Sequence, residues 1–222
     1  MNYKAIIFDM DGTIVDSNHI WDQATQDIII AAGGILTPEK LAILQKELKG
    51  LALHASCSII KEVMELEHEV EDLIEAKQNR ALVLYEQQVH FIDGFKEFFK
   101  KVQAKNLKVA IATNADDYTL AATLKKLKLE QFFKHHIYNI THVNYRHKPF
   151  PDLYLYAAKQ LDVDPKDCIA IEDSTHGIKA AVDAGMFCIG INTGKNRKHL
   201  EEAHLIIEGY DEIDLNELLL KR

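Results

Sequence analysis

Two carboxylates, Asp9 and Asp11, follow the apolar run Ala5-Ile6-Ile7-Phe8, just before the chain turns at Gly12. A buried strand that ends in paired acids costs free energy unless a cation or a proton transfer uses them. Three more places resemble this one. Thr113 and Asn114 follow the run Leu107–Ala112, Glu172 and Asp173 follow Cys168–Ile171, and Lys148 stands beside a helix opening at Pro149. Asp9, Asp11 and Asp173 are hard oxygen donors with no thiolate or imidazole among them, a set that suits Mg²⁺ completed by phosphate oxygens. A carboxylate can also attack phosphorus. A second one, kept protonated, can give its proton to the leaving alcohol and later take one from water. Lys148 and Mg²⁺ are expected to keep Asp9 ionised. Asp11 is expected to offer its backbone carbonyl to the metal and its side chain to proton transfer. Thr113, Asn114 and Lys148 supply the donors that phosphoryl transfer needs around its oxygens.

The elements that must hold these residues are legible from hydrophobic pattern. Continuous apolar runs near 5–8, 107–113, 168–171, 187–191 and 205–207 predict strands, with a weaker one near 136–139. Amphipathic stretches at 95–105, after Asp116 around Leu120, Leu124 and Leu127, at 152–161 and from Ser174 to Gly185 predict helices between them. A short helix closes the chain at 215–220. Strand–helix alternation with apolar strands means an α/β fold with a doubly wound parallel sheet. In such sheets ligands bind outside the carboxyl ends of the strands, where all these polar residues fall. Residues 16–87 read differently, as helices over 18–32, 37–48, 54–66 and 68–90 with no strand pattern between them. Asp16-Ser17 and Thr37-Pro38 read as helix starts. This predicts an α-helical, four-helix insert at 16–87 within a catalytic core of 1–15 and 88–222. Ser174 is expected to be an N-cap.

Composition removes other classes. The 222 residues hold 47 % hydrophobic and 27 % charged residues, a soluble globular balance with room for a sizeable core. The net charge of −8 is concentrated in residues 16–87, where 13 acids face 6 bases, which argues against nucleic acid as partner. No apolar stretch is long enough for a membrane span, and the first apolar run is cut by Asp9, unlike a signal peptide. Three scattered cysteines, Cys57, Cys168 and Cys188, suit free thiols in the cytoplasm, the expected location. The eleven histidines follow no metal-ligand spacing.

These motifs closely resemble those of the haloacid dehalogenase superfamily of phosphohydrolases. Asp9-Met10-Asp11-Gly12-Thr13 matches its first motif, Thr113-Asn114 its second, Lys148-Pro149 its third and Ile171-Glu172-Asp173-Ser174 its fourth. The resemblance implies Asp9 as nucleophile, Asp11 as general acid/base, and Mg²⁺ on Asp9, Asp11 and Asp173, with Glu172 reaching it directly or through water. It implies that Lys148 steadies nucleophile and phosphate, and that the helical insert is a C1-type cap. The cap is expected to close over a small phosphorylated metabolite, on hinges near 14–17 and 86–93. The intact Asp11 argues against dehalogenation, since a halide leaves without a proton.

Within the branch that holds β-phosphoglucomutase and sugar-phosphate phosphatases, mutases carry a histidine twelve residues after the nucleophile; this chain has Trp21. They also carry an arginine four residues after the lysine of a Lys-Gly pair. Here Lys49-Gly50 is followed by Leu53 at that position. The expectation is therefore a monomeric phosphatase of a sugar phosphate, working through an aspartyl-phosphate. Lys49, Gly50 and Trp21 are its cap contacts with the substrate. A sugar phosphomutase is the alternative within enzymes, and a non-catalytic binding protein on the same fold the alternative outside them.

Overall fold

A computed structural model of the protein describes residues 3–48, 51 and 53–220. By its internal contacts the chain divides into two units. One joins Met1–Asp16 to His90–Arg222, and the other is Ser17–Val89. The boundaries lie one and two residues beyond those expected at 16 and 87.

In the first unit a six-stranded sheet is built from β1 (Ala5–Phe8), β4 (Lys108–Ala112), β5 (Ile137–Tyr138), β6 (Cys168–Glu172), β7 (Phe187–Ile191) and β8 (Leu205–Ile207). Their order is β5-β4-β1-β6-β7-β8 and every pairing is parallel. The connections carry α5 (Phe95–Ala104), α6 (Asp117–Leu127), α7 (Glu130–Phe133), α8 (Asp152–Gln160) and α9 (Thr175–Asp183), and α10 (Leu215–Leu220) follows the last strand. This is the doubly wound α/β sheet expected from the alternation. β1 shows why its strand is apolar throughout. Ala5 and Ile7 join a core with residues of α8 and α9. From the opposite face Phe8 meets Phe95, Phe98, Phe99 and Phe133 at ring separations of 5.7–6.3 Å. A strand covered on both faces has no solvent side to alternate with.

Several local expectations change. Val15–Asp16 (β2) pairs antiparallel with His90–Phe91 (β3), a ribbon too short to leave a period in the sequence. Asp16 is thus a strand residue, and Ser17 stands at the helix N-cap without a side-chain capping bond. The α6 face that is fully buried is Thr119, Leu120 and Thr123; Leu124 and Leu127 are half-buried. The short α7 carries too few residues to show a helical period. Thr37 and Ser174 do cap, accepting from the N–H groups of Lys40 and Gly177.

The second unit consists of α1 (Asn18–Ala31), α2 (Pro38–Glu47), α3 (Leu53–Met64) and α4 (Val70–Gln88). Ile28, Ile29, Leu44, Cys57, Ile60, Met64 and Leu73 form its core. Among the described residues no helix is long and apolar enough to cross a membrane.

Candidate active site

Sheet register brings the chemistry to one level. Phe8 pairs with Ile111 on one side and Ile171 on the other, so Asp9, Ala112 and Glu172 stand side by side where the strands end. Asp9 donates its N–H to the Ile171 carbonyl at 2.9 Å, and Thr113 donates to Tyr138 at 2.9 Å. Asp11 lies beyond the strand. β1 ends at Phe8, and Asp11 is held by a loop in which the Met10 carbonyl accepts from Thr13, Ile14 and Val15 at 2.9–3.3 Å. Gly12 supplies the positive φ (80°) that this turn requires.

Lys148 is the centre of the site. It is 4 % exposed, and its ammonium donates to Asp9 Oδ1 at 2.5 Å and Glu172 Oε1 at 2.6 Å. Its backbone N–H donates to Asn114 Oδ1 at 2.9 Å. The Asn114 amide therefore binds the lysine loop through its oxygen and retains its NH₂ as a donor. Thr113 Oγ1 accepts from the Ala115 N–H at 3.0 Å, which fixes the hydroxyl and leaves its proton to donate.

Glu172 is fully buried and surrounded by donors. Oε1 accepts from Lys148 and from the Tyr154 hydroxyl at 2.9 Å. Oε2 accepts from Asp173 N, Ser174 N and Ser174 Oγ at 3.1–3.3 Å. The carboxylate fills the space beside Gly177 in the first turn of α9, where any Cβ would collide with it.

Carboxylate oxygens of Asp9, Glu172 and Asp173 lie within 4.8 Å of one another, a spacing that could hold a metal ion. Burial, then Glu172, raises the Asp9 carboxyl above the usual range against the pull of Lys148. Burial, then Asp9 and Glu172, raises Asp173. Asp11 adds to both through its charge. Burial lowers the Lys148 ammonium, but the attraction of Asp9 and Glu172 outweighs it and the net shift is upward. One buried ammonium thus faces three clustered carboxylates. That imbalance and the all-oxygen donor set fit a divalent hard cation.

Of the other expected residues, Lys49 and Gly50 lie outside the described residues. Trp21 is half-buried in the helical unit, and its indole N–H donates to the Tyr85 hydroxyl at 3.1 Å. Sequence reasoning missed Tyr154, whose ring also lies 5.0 Å from the Lys148 ammonium. The available signal was its place in the first turn of α8, which starts three residues after Pro149 with Pro151 at its N-cap.

Lys77 was missed as well, because an α4 lysine among many acids reads as solvated. It is 4 % exposed, donates to Ser56 Oγ at 2.8 Å and lies 5.9 Å from the Trp21 ring centroid. Burial lowers its ammonium from 10.5, with Cys57 and Asp22 pulling the other way. Between the lowered folded value and the unfolded one, the unfolded chain binds more protons, so stability rises with pH. The penalty is complete below the folded value and gone above the unfolded one. Lys77→Met is therefore expected to gain about 1 kcal/mol near pH 7, roughly 2–4 °C in Tm. The gain should fade as pH approaches 10.5. Melting curves across pH check this, and a pH-independent difference would contradict it.

The class these features define is an α/β enzyme with an acid-rich, lysine-centred site at the carboxyl ends of its strands. Residues 6–191 match the family described as Haloacid dehalogenase-like hydrolase, and the chain belongs to it. A phosphorylated carbohydrates phosphatase from Thermotoga maritima is 26 % identical over 183 residues, 82 % of either chain. The β-phosphoglucomutase of Bacillus subtilis is 29 % identical over 203 residues, 86 % of this chain and 84 % of its own. Among solved structures, a family hydrolase from Deinococcus radiodurans with bound phosphate and sodium superposes with a TM-score of 0.79 at 26 % identity. That match covers 99 % of this chain and 98 % of the other.

Proposed function

We propose that this protein is a Mg²⁺-dependent phosphoric monoester hydrolase acting on a small sugar phosphate in the cytoplasm, through a phosphorylated Asp9. The observation that carries this reading is the cluster of Asp9, Lys148, Glu172 and Asp173 beside Thr113, at the strand ends of a haloacid dehalogenase-like core. The relative named for phosphorylated carbohydrates supports the substrate class.

Lys148 holds Asp9 Oδ1, and Oδ2 is assigned to attack phosphorus. As the Asp9–phosphorus bond forms, the bond to the leaving oxygen breaks, and Asp11 gives that oxygen its proton. In the second half Asp11 takes a proton from water as that water attacks phosphorus, which frees Asp9 and phosphate. The Thr113 hydroxyl, the Asn114 NH₂ and Lys148 hold the phosphoryl oxygens throughout. Asp9, Asp173 and the Asp11 carbonyl would hold Mg²⁺, which neutralises phosphate charge when bound. Glu172 serves first as the anchor of Lys148, since both its oxygens already accept from other groups. The helical unit is assigned as the cap that selects the leaving group and excludes water.

Hydrolysis is preferred over phosphate transfer within a sugar because Trp21, twelve residues after Asp9, is a donor only and its N–H is engaged by Tyr85. It cannot take a proton from a sugar hydroxyl. With Mg²⁺, a panel of hexose phosphates is expected to release inorganic phosphate, and chelation should abolish the release. Conversion of a hexose 1-phosphate to its isomer without net phosphate release, followed by NMR, would instead establish a mutase.

A further inference from the structure

The loop that carries Asp11 is held from outside by groups that the reaction scheme does not use. Its internal bonds are closed: Gly12 N–H donates to the Val15 carbonyl at 2.7 Å, and Met10 accepts the next three N–H groups. Three successive carbonyls, those of Gly12, Thr13 and Ile14, are left to face other segments, and each meets a donor. Thr193 Oγ1 donates to Gly12 at 2.6 Å, the Tyr210 hydroxyl to Thr13 at 3.0 Å, and Ile92 N–H to Ile14 at 2.8 Å.

The two side-chain donors come from 181 and 197 residues away. Tyr210 is 1 % exposed, and its ring stacks on Phe98 at 5.1 Å and meets Phe95 edge-on at 5.8 Å. A phenol fixed in this way has little freedom to follow a moving loop, so its hydrogen bond selects one loop position.

We propose that Tyr210 and Thr193 are positioning residues for Asp11, fixing the loop so that its carboxyl reaches the leaving oxygen. Packing alone would need only the Tyr210 ring; the hydroxyl, aimed at a loop carbonyl two residues from Asp11, is the part this role explains. The inference rests on the hydrolase reading above, with Asp11 as proton donor. Proton donation matters most for poor leaving groups, so a loosened Asp11 should show itself there and not as a uniform loss.

The test compares phenyl phosphate, the poorer leaving group, with 4-nitrophenyl phosphate, both with Mg²⁺. Tyr210→Phe and Thr193→Val each delete one hydroxyl. Each is expected to lower kcat/KM, which reports the step in which the alcohol leaves, by roughly three- to tenfold on phenyl phosphate, the worth of one hydrogen bond, with less than about twofold loss on the nitrophenyl ester. Thr193→Ser, which keeps the hydroxyl, should restore the wild-type ratio. Thr193 is half-buried, so its variants carry the test if Tyr210→Phe does not fold. Equal losses on both esters, or no loss on either, overturn the proposal. Asp11→Asn in parallel separates the two ideas. If it shows the leaving-group contrast and the hydroxyl deletions do not, the positioning role alone fails. If Asp11→Asn itself shows no contrast, the acid assignment falls and the inference with it.

Discussion

Lys148→Met is expected to abolish measurable turnover, a loss of at least about 10³-fold, and to destabilise the core by roughly 3–5 kcal/mol. Both effects come from one geometry. The ammonium is buried and bridges Asp9 at 2.5 Å and Glu172 at 2.6 Å. Methionine matches its stem as far as Cε but leaves Asp9, Glu172 and Asp173 clustered with no compensating charge. Glu172 would keep its Tyr154, Asp173 and Ser174 donors, so the larger part of the penalty should fall on Asp9. Activity is lost for two reasons. The phosphoryl oxygens lose a cation, and Asp9 loses the partner that orients it. Urea unfolding followed by far-UV CD measures the stability change. Tryptophan fluorescence is the wrong probe, because the single Trp21 lies in the helical unit and Lys148 does not. Added Mg²⁺ should recover part of the stability by mass action on the folded state, but not the turnover. An unchanged urea midpoint would mean that the ammonium does not offset these carboxylates.

The parts of this site legible in the sequence are those set by strand ends. Asp9, Thr113, Glu172 and Asp173 each follow an apolar run long enough to identify as a strand. Parallel register then brings the ends of such strands to one level whatever the intervening sequence. Lys148 could be placed only because Pro149 and Pro151 lead into α8 just after it, and its bridging of Asp9 and Glu172 is a tertiary fact. Thr193 and Tyr210 were illegible for a different reason. Their polar groups act across the fold, and a tyrosine or threonine there has an ordinary packing explanation in any single-segment pattern. Lys77 was hidden by its neighbours, since burial depends on which face of α4 meets α1 and α3, while local charge suggested solvent. The β2–β3 ribbon escaped because two residues per strand cannot express a period of two.

Burial divides the site into a rigid part and a solvent-facing part. Glu172 and Lys148 are buried, mutually hydrogen-bonded and backed by Tyr154, so they form the rigid part of the site. Asp11 and Asp173 are only half-buried and sit in loops beyond the strands. The proton-transfer role proposed for Asp11 and the metal-holding role proposed for Asp173 thus fall to carboxylates that reach solvent. The orienting role falls to residues closed to it. A substitution in the rigid part should therefore change both stability and rate, whereas one that touches only the reacting oxygen should change rate alone.

Asp9→Asn is the clearest case of the second kind. The expected result is loss of turnover by at least about 10³-fold on any phosphate ester, 4-nitrophenyl phosphate included, because an amide oxygen is a poor nucleophile for phosphorus. Leaving-group quality should not rescue it, in contrast to Asp11→Asn. Stability should change little. The side chains are nearly isosteric, and Asn can still accept from Lys148, which keeps its 2.6 Å bond to Glu172. Losing the Asp9 charge forfeits an ion pair. It also removes one of three clustered, mutually repelling carboxylates and its desolvation cost, so the opposing changes are expected to leave Tm within a few degrees of wild type. Steady-state turnover of 4-nitrophenyl phosphate measures the first effect and a thermal melt the second. Wild-type turnover in Asp9→Asn would remove Asp9 as nucleophile. Inactivity with a collapsed Tm would make its role structural, as for Lys148. Only an inactive, fully folded variant beside a destabilised Lys148→Met separates the attacking carboxylate from the ammonium that holds it.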